Sequence, residues 1–179
     1  LGVVPTVKQS GILFTGLMRL WVKHEERRVR TLKKKASSLE IDVHRLKPIC
    51  LFVGKQDIQF ISEKMITEYQ EYRLSDGKSP YTVNSEVRTI MKMLRWARKE
   101  KMLDLVPEIE QIPERPPQVD IPTPEEVRRL IDELRSSSRA VVWFVAETGC
   151  RSGEAFNLRW EDVDEVGGWV NIQSRDGWR

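Results

Sequence analysis

The segment TGCRSGEAFNLRW, residues 148–160, sets a permanent cation on a bend of the chain. Apolar residues AVVWFVA lead into it, Gly149 allows a sharp turn, and a new helix begins near Ser152, so Arg151 falls at a helix start. Unsatisfied N–H groups make a helix start electropositive, so a cation there is unfavourable unless an anion joins it. A phosphate fits, because a guanidinium grips two of its oxygens in parallel and a lysine does not. Glu154, three residues on, is placed to hold Arg151 from the same side. The same spacing also suits a structural Arg151–Glu154 ion pair with no ligand, and the sequence leaves both readings open.

A second constellation lies upstream. Arg88, Lys92, Arg95 and Lys99 recur every three or four residues in SPYTVNSEVRTIMKMLRWARKEK. They sit about 100° round from the apolar stripe of the same helix. A helix enters the major groove of double-stranded DNA, and cations at this spacing reach phosphates on its walls. Thr82 and Ser85, near the helix start, are short polar groups that can approach base edges or phosphates. The run RRVRTLKKK adds Lys33, Lys34 and Lys35. A solvated helix face would look alike, but the charge balance favours a polyanion. Residues 1–103 hold 21 Lys and Arg against 11 Asp and Glu, a net of +10. Residues 104–179 hold 9 against 16, a net of −7, so the overall +3 conceals a basic first half.

The elements that carry these groups read mainly as helices. Leu13, Leu17, Leu20 and Trp21 give a first helical stripe over residues 11–27. Ser37 or Ser38 can cap a second helix bearing Leu39, Val43, Leu46, Cys50 and Val53, with a kink or break at Pro48 and an end at Gly54. A third starts near Ser62 with Met65, Ile66, Tyr69 and Tyr72. In the fourth, Ser79 caps, Pro80 takes the first position, and Val83, Val87, Ile90, Leu94 and Ala97 form the buried face. Six prolines in residues 104–124 predict an extended, semi-rigid connector. The expected division is therefore a helical domain over 1–103, a linker over 104–122 and a second domain from 123. The latter opens with a capping box, Thr123 with Glu126, on a helix burying Val127, Leu130, Ile131 and Leu134. RAVVWFVAET predicts a buried helix, SGEAFNLRW a short one, and WVNIQS a strand.

Other chemistry is not indicated. No apolar run is long enough to span a bilayer, and the first residues do not read as a signal peptide. The lack of an initiator Met suggests a fragment or a processed chain. Cys50 and Cys150 stand alone and read as buried free thiols in a reducing cytoplasm, with no metal cluster and no cofactor motif. Tyr69, Tyr72 and Tyr81 read as packing or surface residues, and His24 and His44 receive no catalytic role.

The stretch TGCRSGEAFNLRWEDVD resembles the first catalytic box of the tyrosine recombinases, the phage-integrase family, through Thr148, Gly149, Cys150, Arg151, Glu154, Leu158, Trp160 and Asp162. The upstream order of helices, proline-rich linker and T-x-E-E helix is also similar. The resemblance covers roughly residues 10–175. It implies a SAM-like helical core-binding domain followed by the start of an α+β catalytic domain. It also implies double-stranded DNA as partner, self-assembly on DNA, and a bacterial or phage-encoded protein of the cytoplasm, associated with the nucleoid. Such enzymes cut one strand at a time with a tyrosine, forming a 3′-phosphotyrosine bond and a free 5′-hydroxyl without metal or energy cofactor. Arg151 matches the first of two catalytic arginines, which neutralises charge growing on the non-bridging oxygens. The family's later lysine, His-x-x-Arg box and tyrosine lie beyond these 179 residues, which are expected to lack cleavage activity by themselves. A missing part of the second domain would leave AVVWFVA exposed. A non-enzymatic DNA-binding module that competes for sites, and a helical protein-interaction domain with a merely solvated basic face, are the competing readings.

Overall fold

The computed structural model describes residues 11–115 and 118–173. Its order is α1 (Phe14–Arg30), α2 (Ala36–Val53), a 3-10 turn (Ile58–Phe60), α3 (Glu63–Ser75), α4 (Pro80–Lys99), α5 (Pro124–Glu133), α6 (Ser136–Thr148), α7 (Ser152–Phe156), a 3-10 turn (Trp160–Asp162), β1 (Val163–Asp164) and β2 (Trp169–Val170). The chain divides into two compact units, Leu1–Pro116 and Pro117–Arg179. No described helix is long and apolar enough to cross a membrane.

In the first unit α1, α2 and α4 pack on one another and α3 packs on α4. The buried faces of α1 and α2 each include a carboxylate. Phe14, Leu17, Trp21 and Glu25 line the inside of α1, whereas Leu13 and Leu20 stay 47% and 42% exposed. On α2 the inside is Asp42, Leu46, Ile49 and Val53, which leaves Val43 and Cys50 half-buried. Both apolar stripes are thus rotated from the pattern expected, because each face also had to enclose a charge. The Lys34 ammonium meets Glu25 Oε2 at 2.5 Å and Asp42 Oδ2 at 2.6 Å, joining the two helices. It also lies 5.1 Å from the Trp21 ring centroid. α2 runs unbroken through Pro48; burial of Leu46, Ile49 and Val53 on either side outweighs the roughly 3 kcal/mol an interior proline costs. Its helix begins at Ala36, ahead of Ser37 and Ser38, which therefore do not cap it. A side chain at Gly54 would run into the Cys50 carbonyl oxygen and lie 2.7 Å from Thr15 Cγ2, so glycine lets α1 approach the end of α2.

Burial tends to raise the carboxyls of Glu25 and Asp42, but hydrogen bonds from Lys34, with Arg28 on Glu25 and Lys92 on Asp42, hold both below their ordinary values. Depressed acids stabilise the fold above their unfolded values and lose that contribution as pH falls through the lower folded ones. Thermal melts should therefore be insensitive to these groups above pH 4.5, the ordinary glutamate value, and should drop below it. A Glu25→Gln/Asp42→Asn variant should show a shallower acid decline than the parent.

α3 and α4 start as their sequences require, with Ser62 Oγ accepting from Met65 N and Ser79 Oγ from Thr82 N. Val83, Val87, Ile90, Leu94 and Ala97 are all fully buried. Polar residues of α4 are buried too. Glu86 accepts from the Tyr69 hydroxyl at 2.6 Å and from Arg73 Nε and Nη2 at 2.9 and 2.7 Å. Burial and the Glu86 carboxylate push the Tyr69 hydroxyl well above its ordinary pKa, and the bond to Glu86 does the same to Arg73.

The proline-rich stretch is not a free connector along its first half. Gln59 Nε2 donates to Asp104 Oδ2 at 3.2 Å, and Gln70 Nε2 donates to the Glu110 carbonyl at 3.1 Å. Asn84 donates to the Ile112 carbonyl at 2.8 Å and accepts from Ile112 N at 3.0 Å. Val106 and Ile109 pack against the core. Residues 104–114 thus form a strap on the helices, and the first unit extends past residue 103 to Pro116. Prolines keep the strap extended, while alternate backbone groups remain available to side chains of α3 and α4. A protease that cuts ahead of aliphatic residues should cleave before Val119, which is 72% exposed, and spare Val106 and Ile109. Mass spectrometry of the first fragment reports which bond is cut; early cleavage ahead of Val106 or Ile109 would contradict the docked strap.

In the second unit Thr123 and Glu126 form the capping box of α5. Its Ile131 is buried and its Leu130 is 57% exposed. α6 packs on α5 and α7, yet none of its residues is buried and Trp143 is 57% exposed. An all-round apolar sequence was expected to lie inside the fold; in the described residues its neighbours cover too little of its surface. Gly149 ends α6 in the left-handed region at φ 66°. The strand expected over WVNIQS is short, with Val170 opposite Val163 and Trp169 opposite Asp164; Ser174 lies outside the described residues.

Candidate nucleic-acid interface

Helix α4 and the strap enclose a groove of about 1190 Å³ in the first unit. Arg45, Arg88, Lys92, Arg95, Arg98 and Lys99 line it against two carboxylates, Asp42 and Glu108. Sequence periodicity found four of these cations. Arg45 comes from α2, and Arg98 falls outside the stripe, so only packing of α2 and the strap against α4 brings them in. Gln111 on the strap completes the lining.

The cations differ in how they are held. Lys92 Nζ donates to Asp42 Oδ2 at 3.0 Å, so the carboxylate that anchors Lys34 also fixes Lys92 at the groove. Arg88 is tied to Ser85, Gln111 and Glu114. Arg95, Arg98 and Lys99 pair with no carboxylate among the described residues, and all three are exposed. Five exposed cations and the half-buried Arg45 beside two carboxylates make a strongly positive surface, suited to a chain of phosphates.

Five expected contact residues lie outside the groove lining, and two of them, Ser85 and Lys34, are engaged inside the fold. Ser85 is buried, and its hydroxyl accepts from Arg88 Nη2 at 2.9 Å, so it orients the arginine and cannot approach a base itself. Lys34 is 8% exposed between Glu25 and Asp42; its ammonium compensates buried carboxylates and is not available to a phosphate. Lys33 is exposed between α1 and α2, Lys35 is half-buried at the start of α2, and Thr82 is half-buried in the first turn of α4 with its hydroxyl 3.0 Å from Ser79 Oγ.

Arg151 occupies the residue just before α7, and its side chain is 87% exposed. Its backbone N–H donates to Glu154 Oε2 at 2.8 Å and its Nη1 donates to Oε1 at 3.2 Å. The Arg151 backbone N–H lowers the Glu154 carboxyl most; desolvation opposes it, and the guanidinium adds a further lowering. Glu154 thus engages one edge of the fork and leaves the remaining donors open to solvent, a geometry that can accept an anion. Arg151 and the α4 groove belong to different units.

The remaining candidates carry no catalytic geometry. Tyr69 is buried and bonded to Glu86, while Tyr72 and Tyr81 are 50% and 62% exposed. Both cysteines are half-buried rather than fully enclosed, and burial pushes the Cys50 thiol to about 11. No described cluster of His, Cys, Asp or Glu can hold a metal ion.

No family profile matches the chain. It is similar to the ICEBs1 integrase of Bacillus subtilis (strain 168), 29% identical over 119 residues, which covers 63% of this chain and 32% of that one. It is similar to the integrase of Salmonella phage P22, 37% identical over 76 residues, covering 42% and 20%. The chain therefore spans at most about a third of either relative in these matches. Among solved structures the fold is similar to lambda integrase, as a tetramer bound to a Holliday junction with TM-score 0.68 and as a dimer bound to a COC′ core site with TM-score 0.69. Both are 17% identical, and each covers 89% of this chain, against 48% and 59% of theirs.

Proposed function

We propose, for a chain that belongs to the tyrosine recombinase (phage integrase) family, that its first unit grips double-stranded DNA through the α4 groove while Arg151 serves the scissile phosphate. The observation that carries the reading is the groove itself, with six cations against two carboxylates, four of the cations (Arg45, Arg95, Arg98 and Lys99) having no carboxylate partner among the described residues. Relatives named integrase, and a fold shared with DNA-bound lambda integrase, support it.

The whole protein is then a site-specific recombinase acting on chromosomal or phage DNA in the bacterial cytoplasm. A tyrosine attacks the scissile phosphorus, forming the 3′-phosphotyrosine bond and releasing a 5′-hydroxyl; the hydroxyl of a second strand reverses the step. Arg151 donates to the non-bridging oxygens, whose charge grows at the transition state, and Glu154 holds the guanidinium without capturing all its donors. No energy cofactor is required, because the phosphotyrosine conserves the bond energy, and arginine supplies the charge neutralisation a metal ion would otherwise give. All three tyrosines of the 179 residues precede Arg151, and Tyr69 is locked to Glu86, so a polypeptide of these residues alone should bind without cutting. Assembly of several copies on DNA follows the lambda integrase dimer and tetramer.

The test is titration of the 179-residue chain with a random-sequence 30-base-pair duplex at 50 and 200 mM salt. Affinity should fall steeply, by about 0.9 log units per log unit of salt for each phosphate engaged. Salt-independent binding, or none at 50 mM, would refute the reading.

A further inference from the structure

Arg88 is held differently from the other cations of the groove. Its Nη2 donates to Ser85 Oγ at 2.9 Å and its Nη1 donates to Gln111 Oε1 at 3.3 Å, with Glu114 Oε1 3.7 Å away. The guanidinium carbon lies 6.0 Å from the Tyr81 ring centroid. Ser85 and Tyr81 are on α4, and Gln111 and Glu114 are on the strap. The strap end is itself fixed, since Asn84 Nδ2 donates to Glu114 Oε1 at 2.7 Å and to the Ile112 carbonyl. The fork is thus braced from two elements, yet the side chain remains 52% exposed. Two of a guanidinium's five N–H donors are engaged, which leaves Nε–H and one N–H on each terminal nitrogen.

Bracing has a chemical consequence. A freely rotating cation follows a phosphate wherever it lies, so it adds affinity for any sequence. A fork of fixed orientation presents two parallel donors to one place. The acceptor pair in the major groove that matches is O6 and N7 of guanine. We infer that Arg88 reads a guanine in the DNA site, while Arg95, Arg98 and Lys99 contact phosphates. The inference rests on the duplex-binding reading above and adds a sequence-determining residue to it. Ser85 and Gln111 act as positioning residues, because they touch the fork and not the base.

The experiment selects bound duplexes from a pool carrying 20 randomised base pairs, using the 179-residue chain and its variants, and sequences them. The parent should yield a motif with a guanine that R88K and R88A both lose, with preferences at other positions kept. Discrimination at that position should fall about tenfold or more. S85A and Q111A, which keep the charge, should blunt the same position several-fold, and S85A, whose side chain is buried and outside the groove lining, should leave binding to unselected duplex nearly unchanged. R95A should weaken every sequence alike and reduce the salt slope by about one. A parent motif without guanine, an R88K motif identical to the parent's, or an R88A effect as uniform as that of R95A would each overturn the inference while leaving duplex binding intact. Variants that keep the motif but expose residues 104–115 to protease would assign Arg88 to strap anchoring and overturn it as well. No salt-dependent binding by the parent would instead remove the underlying reading.

Discussion

Arg95→Ala, Arg98→Ala and Lys99→Ala together should flatten the salt dependence of duplex binding by about 2.7 in log–log slope, three contacts at about 0.9 each. Between 50 and 200 mM salt, the affinity gap between parent and triple variant should shrink about 40-fold, the fourfold salt change raised to that power. These three are the informative choice because none has a carboxylate partner among the described residues, so their removal leaves no acid stranded. Lys92 is a poorer probe, since it also neutralises Asp42. Lys64, 85% exposed on α3 and outside the groove lining, serves as the control: Lys64→Ala should leave the slope unchanged. Equal losses from Lys64 and the triple variant would mean that net charge alone attracts the duplex and the groove has no special role.

Arg73→Met should destabilise the helical unit by about 3–5 kcal/mol, the usual effect of stranding one member of a buried ion pair. Glu86 is 5% exposed at its side chain, and both its oxygens take hydrogen bonds from Arg73. Without the guanidinium, the carboxylate keeps only the Tyr69 hydroxyl as a side-chain donor among the described residues. For about 100 residues, each kcal/mol corresponds to about 4–8 °C in Tm, so the melting temperature should fall by well over 10 °C. Arg73→Met combined with Glu86→Leu should recover much of the loss, because burying apolar groups in place of a charge pair is often close to neutral. A double variant as unstable as the single one would show that the packing around Arg73, rather than the stranded charge, sets the stability. Neither variant touches the groove cations, so duplex binding by folded protein should be retained.

The sequence by itself determined much of the helical organisation. The caps at Ser62, Ser79 and Thr123 and the stop at Gly149 are local chemistry, settled within four residues of each site. The five apolar positions of α4 are likewise a local period, and all are buried. Glu154 could be paired with Arg151 from spacing alone, because three residues on a helix start bring them together.

What remained hidden depends on residues far apart in the chain. Lys34 looked like one of three equivalent lysines, but Asp42 and Glu25 approach it only when α1 packs on α2. The buried face of α1 could not be read correctly from hydropathy, since Glu25 belongs to it. Ser85 looked exposed and polar, and became the brace of Arg88. The strap shows the same limit most fully. Prolines predict an extended backbone, but not its docking, which needs Gln59, Gln70 and Asn84 from three separate places to meet backbone and side-chain groups of residues 104–114. Composition reveals how much positive charge a chain carries. Only the tertiary structure decides which cations are neutralised inside, which are oriented, and which stay free, because Coulomb and hydrogen-bond energies depend on distances that sequence separation does not set.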